Sequence, residues 1–222
     1  MTDTVLHLLV AIVPTVLAIT LHEMAHGYAA LALGDDTARN EGRLSPNPLR
    51  HVDRVGTIIV PTLSTCRSGL GDPHKVQFMF GWAKPVPVAA WRFRDPRRGM
   101  AVVALAGPMG NFALAWLAAV ALHAFPGTDA ATWWATQFLR YFILSNLVLG
   151  LFNLLPVPPM DGGRVAVGIL PLPLAMAWAR LERAGIFVVL FVVFLLPHLT
   201  GYDPVGMALD GVLPWAIRAV VA

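Results

Sequence analysis

His22, Glu23 and His26 stand in the stretch ITLHEMAHGYAALAL, residues 19–33, with almost nothing else polar beside them. On a helix, residues i and i+4 lie one above the other on a single face, so both imidazoles can reach one metal ion. The spacing His-Glu-x-x-His suits a Zn2+ held by two histidines, with the glutamate beside it as general base. Zinc lowers the pKa of a bound water toward about 7 and polarises a carbonyl. Glu23 is placed to take the proton from such a water. A single buried histidine is ordinarily a satisfied core residue, but three ionisable groups in a membrane-spanning stretch are costly and mark a functional site.

The elements that must position these residues are apolar. Of 222 residues 57% are hydrophobic and 13% charged, about half the charge of an average soluble domain. The chain therefore reads as an all-α polytopic membrane protein of about four to six transmembrane helices, forming one domain over residues 1–222. No linker, low-complexity tract or internal repeat stands out. The net charge is +3, and the basic residues lie between apolar runs, where they act as membrane anchors; no nucleic-acid partner is expected. Cys66 is the single cysteine, which excludes an internal disulfide and a cysteine-based zinc site.

About 20 apolar residues span a bilayer as a helix. Residues 5–33 exceed this; with the acidic Asp3 and no Lys or Arg ahead of the run, they read as a retained helix and not as a signal peptide. Residues 99–125 and 133–155 can also span, while 185–199 are short and 204–222 weakly apolar. Residues 55–65 are apolar but short, which suits a re-entrant segment, and KPVPVAAWRFR at 84–94 looks strand-like. Lys and Arg crowd segments 34–54 and 66–98, recur in 162–184, and are absent from 126–132 and 200–204. By the positive-inside rule, 34–98 is expected on the cytoplasmic side, with 55–65 dipping in and returning. Helix 133–155 then runs inward and delivers Asp161 near the cytoplasmic face. Arg140, near the outer end of that helix, counts against this topology.

A catalytic zinc takes three protein ligands and keeps one position open. Among the remaining histidines, His123 and His198 end apolar runs, His51 and His74 sit in polar loops, and His7 lies about four turns before His22. His51 stays open as a surface residue or a group behind the metal. Among carboxylates, Asp161 alone directly follows an inward-running apolar helix, in NLLPVPPMDGGR. The Asp161–Gly162 pair suits a simple turn equally well.

HEMAH, GPMGN and NLLPVPPMDGG, in this order, resemble the site-2 protease family of intramembrane zinc metalloproteases. Asn153, Pro156, Asp161 and Gly162 match that family's N-x-x-P-x(4)-D-G motif. GRLSPNPLRHVD and FGWAKPVPV are similar to its compact prokaryotic branch, and no PDZ-like insertion is visible. The resemblance covers roughly residues 18–165. It implies one catalytic Zn2+ held by His22, His26 and Asp161, Glu23 as general base, and Asn153 on the substrate or the oxyanion. It implies a catalytic core of about 5–165 with accessory helices at about 185–222. The activity implied is hydrolysis of peptide bonds within or near transmembrane segments of membrane proteins, in the prokaryotic plasma membrane with the site toward the cytoplasm. LSTCRSGLGDPHK departs from the branch in being more polar, which touches the re-entrant region and not the metal motifs.

Other residues have narrower readings. Gly107 and Gly110 let another helix approach closely. Asn111 is a buried amide that can bond the loop or the substrate, or serve packing. KPVPV can present an edge to an extended substrate or form a surface loop. Trp82, Trp91, Trp133, Trp134 and Trp215 flank apolar runs, as an interfacial belt does. A metal or ion transporter using the same four ionisable residues, or a non-proteolytic scaffold, are the competing classes. Transporters commonly carry repeat symmetry, and the intact HExxH and DG motifs argue against a scaffold.

Overall fold

The computed structural model describes residues 2–51, 84–124 and 130–221. Among them the protein is all-α, with no strand. The apolar run of the first 33 residues forms α1, Thr2–Ala32. It ends at Gly34, which adopts a positive φ and leaves Asp35 to start a new direction. After the short α2, Thr37–Asn40, and a tight turn at Pro48–Arg50, the described chain resumes at Lys84. The long helices α3, Pro96–Ala124, and α4, Ala130–Asn153, follow. Then come α5, Asp161–Ile169; α6, Leu172–Arg180; α7, Glu182–Leu190; α8, Leu196–Thr200; and α9, Pro204–Val221, with a π turn at Phe191–Leu195 joining α7 to α8.

Helix α3, residues 132–153 of α4, and α9 are long and apolar enough to cross a membrane, and the 31 residues of α1 exceed the roughly 20 a span needs. The chain is an all-α membrane protein. The expected re-entrant stretch 55–65, the polar run 66–83 and His74 lie outside the described residues.

Helix α3 is the hub, packed against α1, α4, α5 and α9. Its buried face is made of small residues, among them Ala104, Gly107, Ala115, Ala118 and Ala119. Lipid tails are as apolar as leucine, so helices in a bilayer associate through close van der Waals approach, which small residues allow. At one end, Ala115, Ala118 and Ala119 pack with Ile143 and Leu147 of α4 and Ala216 of α9. The opposite face of α3 exposes Val102, Met109, Trp116, Leu117 and Val120, as a lipid-facing surface does.

The strand expected at 84–94 does not form among the described residues: 84–89 have no regular secondary structure, and Ala90–Arg92 make a tight turn. Pro85 and Pro87 have no N–H to give a ladder. Three of the amides that remain bond elsewhere: Lys84 to the His51 carbonyl at 2.8 Å, Val86 to Glu23, and Ala89 to Asp35. Arg43, buried although charged, donates to the carbonyls of Arg50, Lys84 and Pro85. The segment is thus latched by buried side chains and packs with Ala30 and Val103 through Val88, Ala90 and Phe93.

Asp35 is the firmest of these latches. Its side chain is fully buried, accepting from the Thr37 N–H and hydroxyl and from the Ala89 N–H at 2.6 Å. Burial pushes its carboxyl up, but the Thr37 and Ala89 hydrogen bonds and the nearby Arg92 outweigh that and hold it below the usual carboxylate range. A group depressed in this way stabilises the fold above its unfolded-state value, about 3.9, and ceases to as pH falls through the folded-state value. Asp35→Ala strands donors at about 1–3 kcal/mol each. Its unfolding temperature in detergent is expected below that of the wild type near pH 7, with the gap closing as the pH falls through the depressed folded-state pKa of Asp35. Equal unfolding temperatures at neutral pH would show that the latch contributes nothing.

Candidate metal centre

The site is built where α1, α3 and α5 meet. His22 and His26 project from α1 toward α3, which runs antiparallel to it: His22 pairs with Asn111 and His26 with Val103. Gly107 lies between those two partners. A Cβ there would come within 2.6 Å of His22 Cε1 and His26 Nε2; only the absence of a side chain leaves room for both rings.

The third side chain arrives by a sharp return of the chain. Helix α4 ends at Asn153, residues 154–160 turn back through Pro156, Pro158 and Pro159, and α5 begins at Asp161. Gly162 and Gly163 sit directly on this turn. Cβ atoms on them would lie 2.5 Å from the Leu155 carbonyl oxygen and the Pro158 nitrogen. The two glycines let the first turn of α5 press against the loop that precedes it, and Asp161 benefits from the positive end of the helix. From there α5 runs to the start of α3, where Gly168 meets Ala101 and Arg97 donates to the Leu170 carbonyl.

Three atoms converge. His22 Nε2 lies 3.1 Å and His26 Nε2 3.3 Å from Asp161 Oδ2, and the two Nε2 atoms are 3.0 Å apart. His22 and Asp161 are buried, and the His26 side chain is 12% exposed. The other nitrogen of each ring faces an acceptor: His26 Nδ1 donates to the Val103 carbonyl at 2.7 Å, and His22 Nδ1 donates to Asn111 Oδ1 at 2.5 Å. A neutral imidazole carries one N–H, so both Nε2 atoms present lone pairs. Asp161 Oδ2 has no hydrogen-bond donor. Three electron pairs about 3 Å apart, with no proton between them, repel unless a cation sits among them. Ligands about 2.0–2.1 Å from a tetrahedral Zn2+ stand about 3.3 Å from each other. The donor set, its spacing and the hydrogen bonds behind it all fit that ion.

The other expected residues fall around this cluster. Glu23 accepts from the Val86 N–H at 3.1 Å, which ties it to the segment 84–89. Prolines on both sides make that N–H the only one in 85–87. Asn111, read as a group for a loop or a substrate, has both ends of its amide committed, one to His22 and one to Asn146 at 2.7 Å. Asn153 donates to the Leu149 carbonyl one turn back at 3.0 Å. His51 is buried with Nε2 on the Ser45 carbonyl, and is not part of the cluster. Two contributors escaped the sequence reading. The Val103 carbonyl belongs to the backbone, so no residue type signals it. Gly107 read only as a packing glycine, although it stands in GPMGN beside Asn111.

Gly107→Ala should therefore displace both imidazoles. Its zinc affinity, measured by competition with a chelator, is expected at least about tenfold weaker than wild type with helical content unchanged. Gly110→Ala, whose Cβ meets Ala25 Cβ at 3.2 Å, should cost far less. Equal zinc affinity in Gly107→Ala would mean that the rings do not need this gap.

The family model described as peptidase family M50 matches residues 119–196. A Bacillus subtilis protein assigned as a zinc metalloprotease, YwhC, is 36% identical over 192 residues, which cover 84% of this chain and 80% of the relative. Rip2 of Mycobacterium tuberculosis, assigned likewise, is 31% identical over 186 residues, 83% of this chain and 66% of its own length. Rip2 of Mycolicibacterium smegmatis is 30% identical over 147 residues, 66% of this chain and 51% of its own. No solved structure matches the chain significantly. The similarity to YwhC runs through most of both chains at 36% identity: the chain belongs to peptidase family M50, the site-2 protease family.

Proposed function

We propose that the protein is an intramembrane zinc metalloendopeptidase that hydrolyses peptide bonds within or near transmembrane segments of membrane proteins. The observation that carries this is the convergence of His22 Nε2, His26 Nε2 and Asp161 Oδ2 at 3.0–3.3 Å, each ring with its Nδ1 proton already placed. One Zn2+ held by these three atoms would lower the pKa of a water and polarise the scissile carbonyl. Glu23 accepts the proton of the attacking water and returns it to the departing nitrogen. The Val86 N–H holds one of its oxygens, so the carboxylate keeps one orientation through both transfers. Apolar packing of α1, α3 and α4 shields the pocket, which strengthens each electrostatic contact within it.

The substrate is a membrane-spanning protein or peptide in an extended conformation, because a helix hides its peptide bonds. Residues 84–89, held to Glu23 through Val86 and to Asp35 through Ala89, are a candidate backbone for it to lie along. Asn153, at the end of α4, is a candidate for the substrate carbonyl. The site is assigned to the cytoplasmic side because Lys and Arg crowd the sequence between α1 and α3, as the positive-inside rule requires of a cytoplasmic loop.

The test is zinc content and cleavage of membrane-spanning peptides by purified, reconstituted protein. Wild type is expected to hold one zinc and to cut. Glu23→Gln should hold zinc and lose roughly 10²- to 10⁴-fold in rate. Asp161→Ala should lose zinc. A wild type that takes up no zinc after reconstitution would sink the proposal, and zinc unchanged in Asp161→Ala would remove the third ligand.

A further inference from the structure

Both histidines need the same tautomer, with the proton on Nδ1 and the lone pair on Nε2. For His26 a backbone carbonyl, Val103, imposes it directly. For His22 the partner is an amide side chain, Asn111, and an amide can turn either end toward the ring. Turned over, Asn111 would offer its NH2 to Nδ1 and push the ring proton to Nε2. That proton would then point at Asp161 Oδ2, 3.1 Å away, and make a direct hydrogen bond where the metal belongs. The metal-free site thus has a ready way to close on itself, and something must prevent it.

We infer that Asn146 prevents it and is a positioning residue for zinc. Asn146 lies on α4, is fully buried, and its described bonds are to Asn111 and its own helix. Its Nδ2 donates to the Phe142 carbonyl at 2.8 Å, and its Oδ1 accepts from Asn111 Nδ2 at 2.7 Å. A carbonyl oxygen only accepts, so the NH2 of Asn146 must face Phe142. Its oxygen must then face Asn111, which turns the NH2 of Asn111 toward it and the oxygen of Asn111 toward His22. His22 Nδ1 must donate. Reversing any one link sets two acceptors or two donors against each other in a dry interior, where an unmade hydrogen bond is costly. The Phe142 carbonyl therefore dictates the His22 tautomer through two amides, as Val103 dictates that of His26 with none. A reader looking only for ligands passes over Asn146.

This inference rests on the zinc reading for its consequence, while the tautomer itself can be read without metal. The experiment is nuclear magnetic resonance of isotope-labelled histidine in metal-free protein, beside zinc affinity by chelator competition. Wild-type His22 is expected as the Nδ1–H form. Asn146→Leu, which frees Asn111 to turn, should populate the Nε2–H form and weaken zinc binding roughly 10- to 100-fold. Asn146→Asp in its neutral form keeps a donor for Phe142 and an acceptor for Asn111. It should restore both the tautomer and zinc affinity, which a merely space-filling role for Asn146 does not predict. An Nε2–H form in the wild type overturns the inference even if Asn146→Leu does not fold, and so does Asn146→Leu with unchanged tautomer and affinity. Wild type that keeps the Nδ1–H form yet binds no zinc would defeat the metalloprotease reading and leave the relay standing.

Discussion

Three lone pairs forced to within about 3 Å of one another in an apolar interior are the constraint around which this protein is arranged. Left alone they repel, or collapse into a hydrogen bond between a histidine and Asp161. Each supporting feature holds them apart from protons and ready for a cation. Val103 and Asn111 occupy the outer nitrogens, Gly107 makes room for the rings, and the glycines after Asp161 bring the carboxylate back from the end of α4. Hydrogen bonds behind metal ligands generally set their tautomer and orientation. Here those bonds run from the ligands into the backbone of α3 and, through Asn146, of α4.

Helix α3 has two duties that its composition reconciles. It must pack tightly in a bilayer, where close approach is the main source of helix association, and it must furnish one wall of a polar pocket. A face of alanine and glycine does the first, and a single buried asparagine with one exposed-to-the-site carbonyl does the second. The same glycine serves both, since Gly107 belongs to the buried small-residue face and leaves the gap that the imidazoles fill.

Residues 84–89 are fixed in an unusual manner. They have no strand partner among the described residues, and instead Glu23, Asp35 and Arg43 reach out to their backbone. Proline removes the amides that would otherwise be left without partners. The result is a backbone segment joined to Glu23, next in sequence to His22, with no sheet to support it among the described residues.

The residue types and spacing by themselves determined the membrane class, the long helices and the His22–His26 pair; they left Asp161 balanced against a simple turn, and only the resemblance of NLLPVPPMDGG to the family motif implied it as the third side chain. The first three follow from local patterns: apolar runs long enough for a bilayer and the i, i+4 spacing of His22 and His26. Local patterns also misled at 84–94, where alternating apolar residues suggested a strand but the amides found side-chain partners. The meeting of Asp161 with α1, the Val103 carbonyl behind His26 and the chain of amides from Phe142 to His22 were decided by tertiary structure alone. They join residues 35 to 139 positions apart in sequence, one of them through backbone atoms that every residue shares, and only the packing of α1, α3, α4 and α5 brings those atoms within hydrogen-bonding reach.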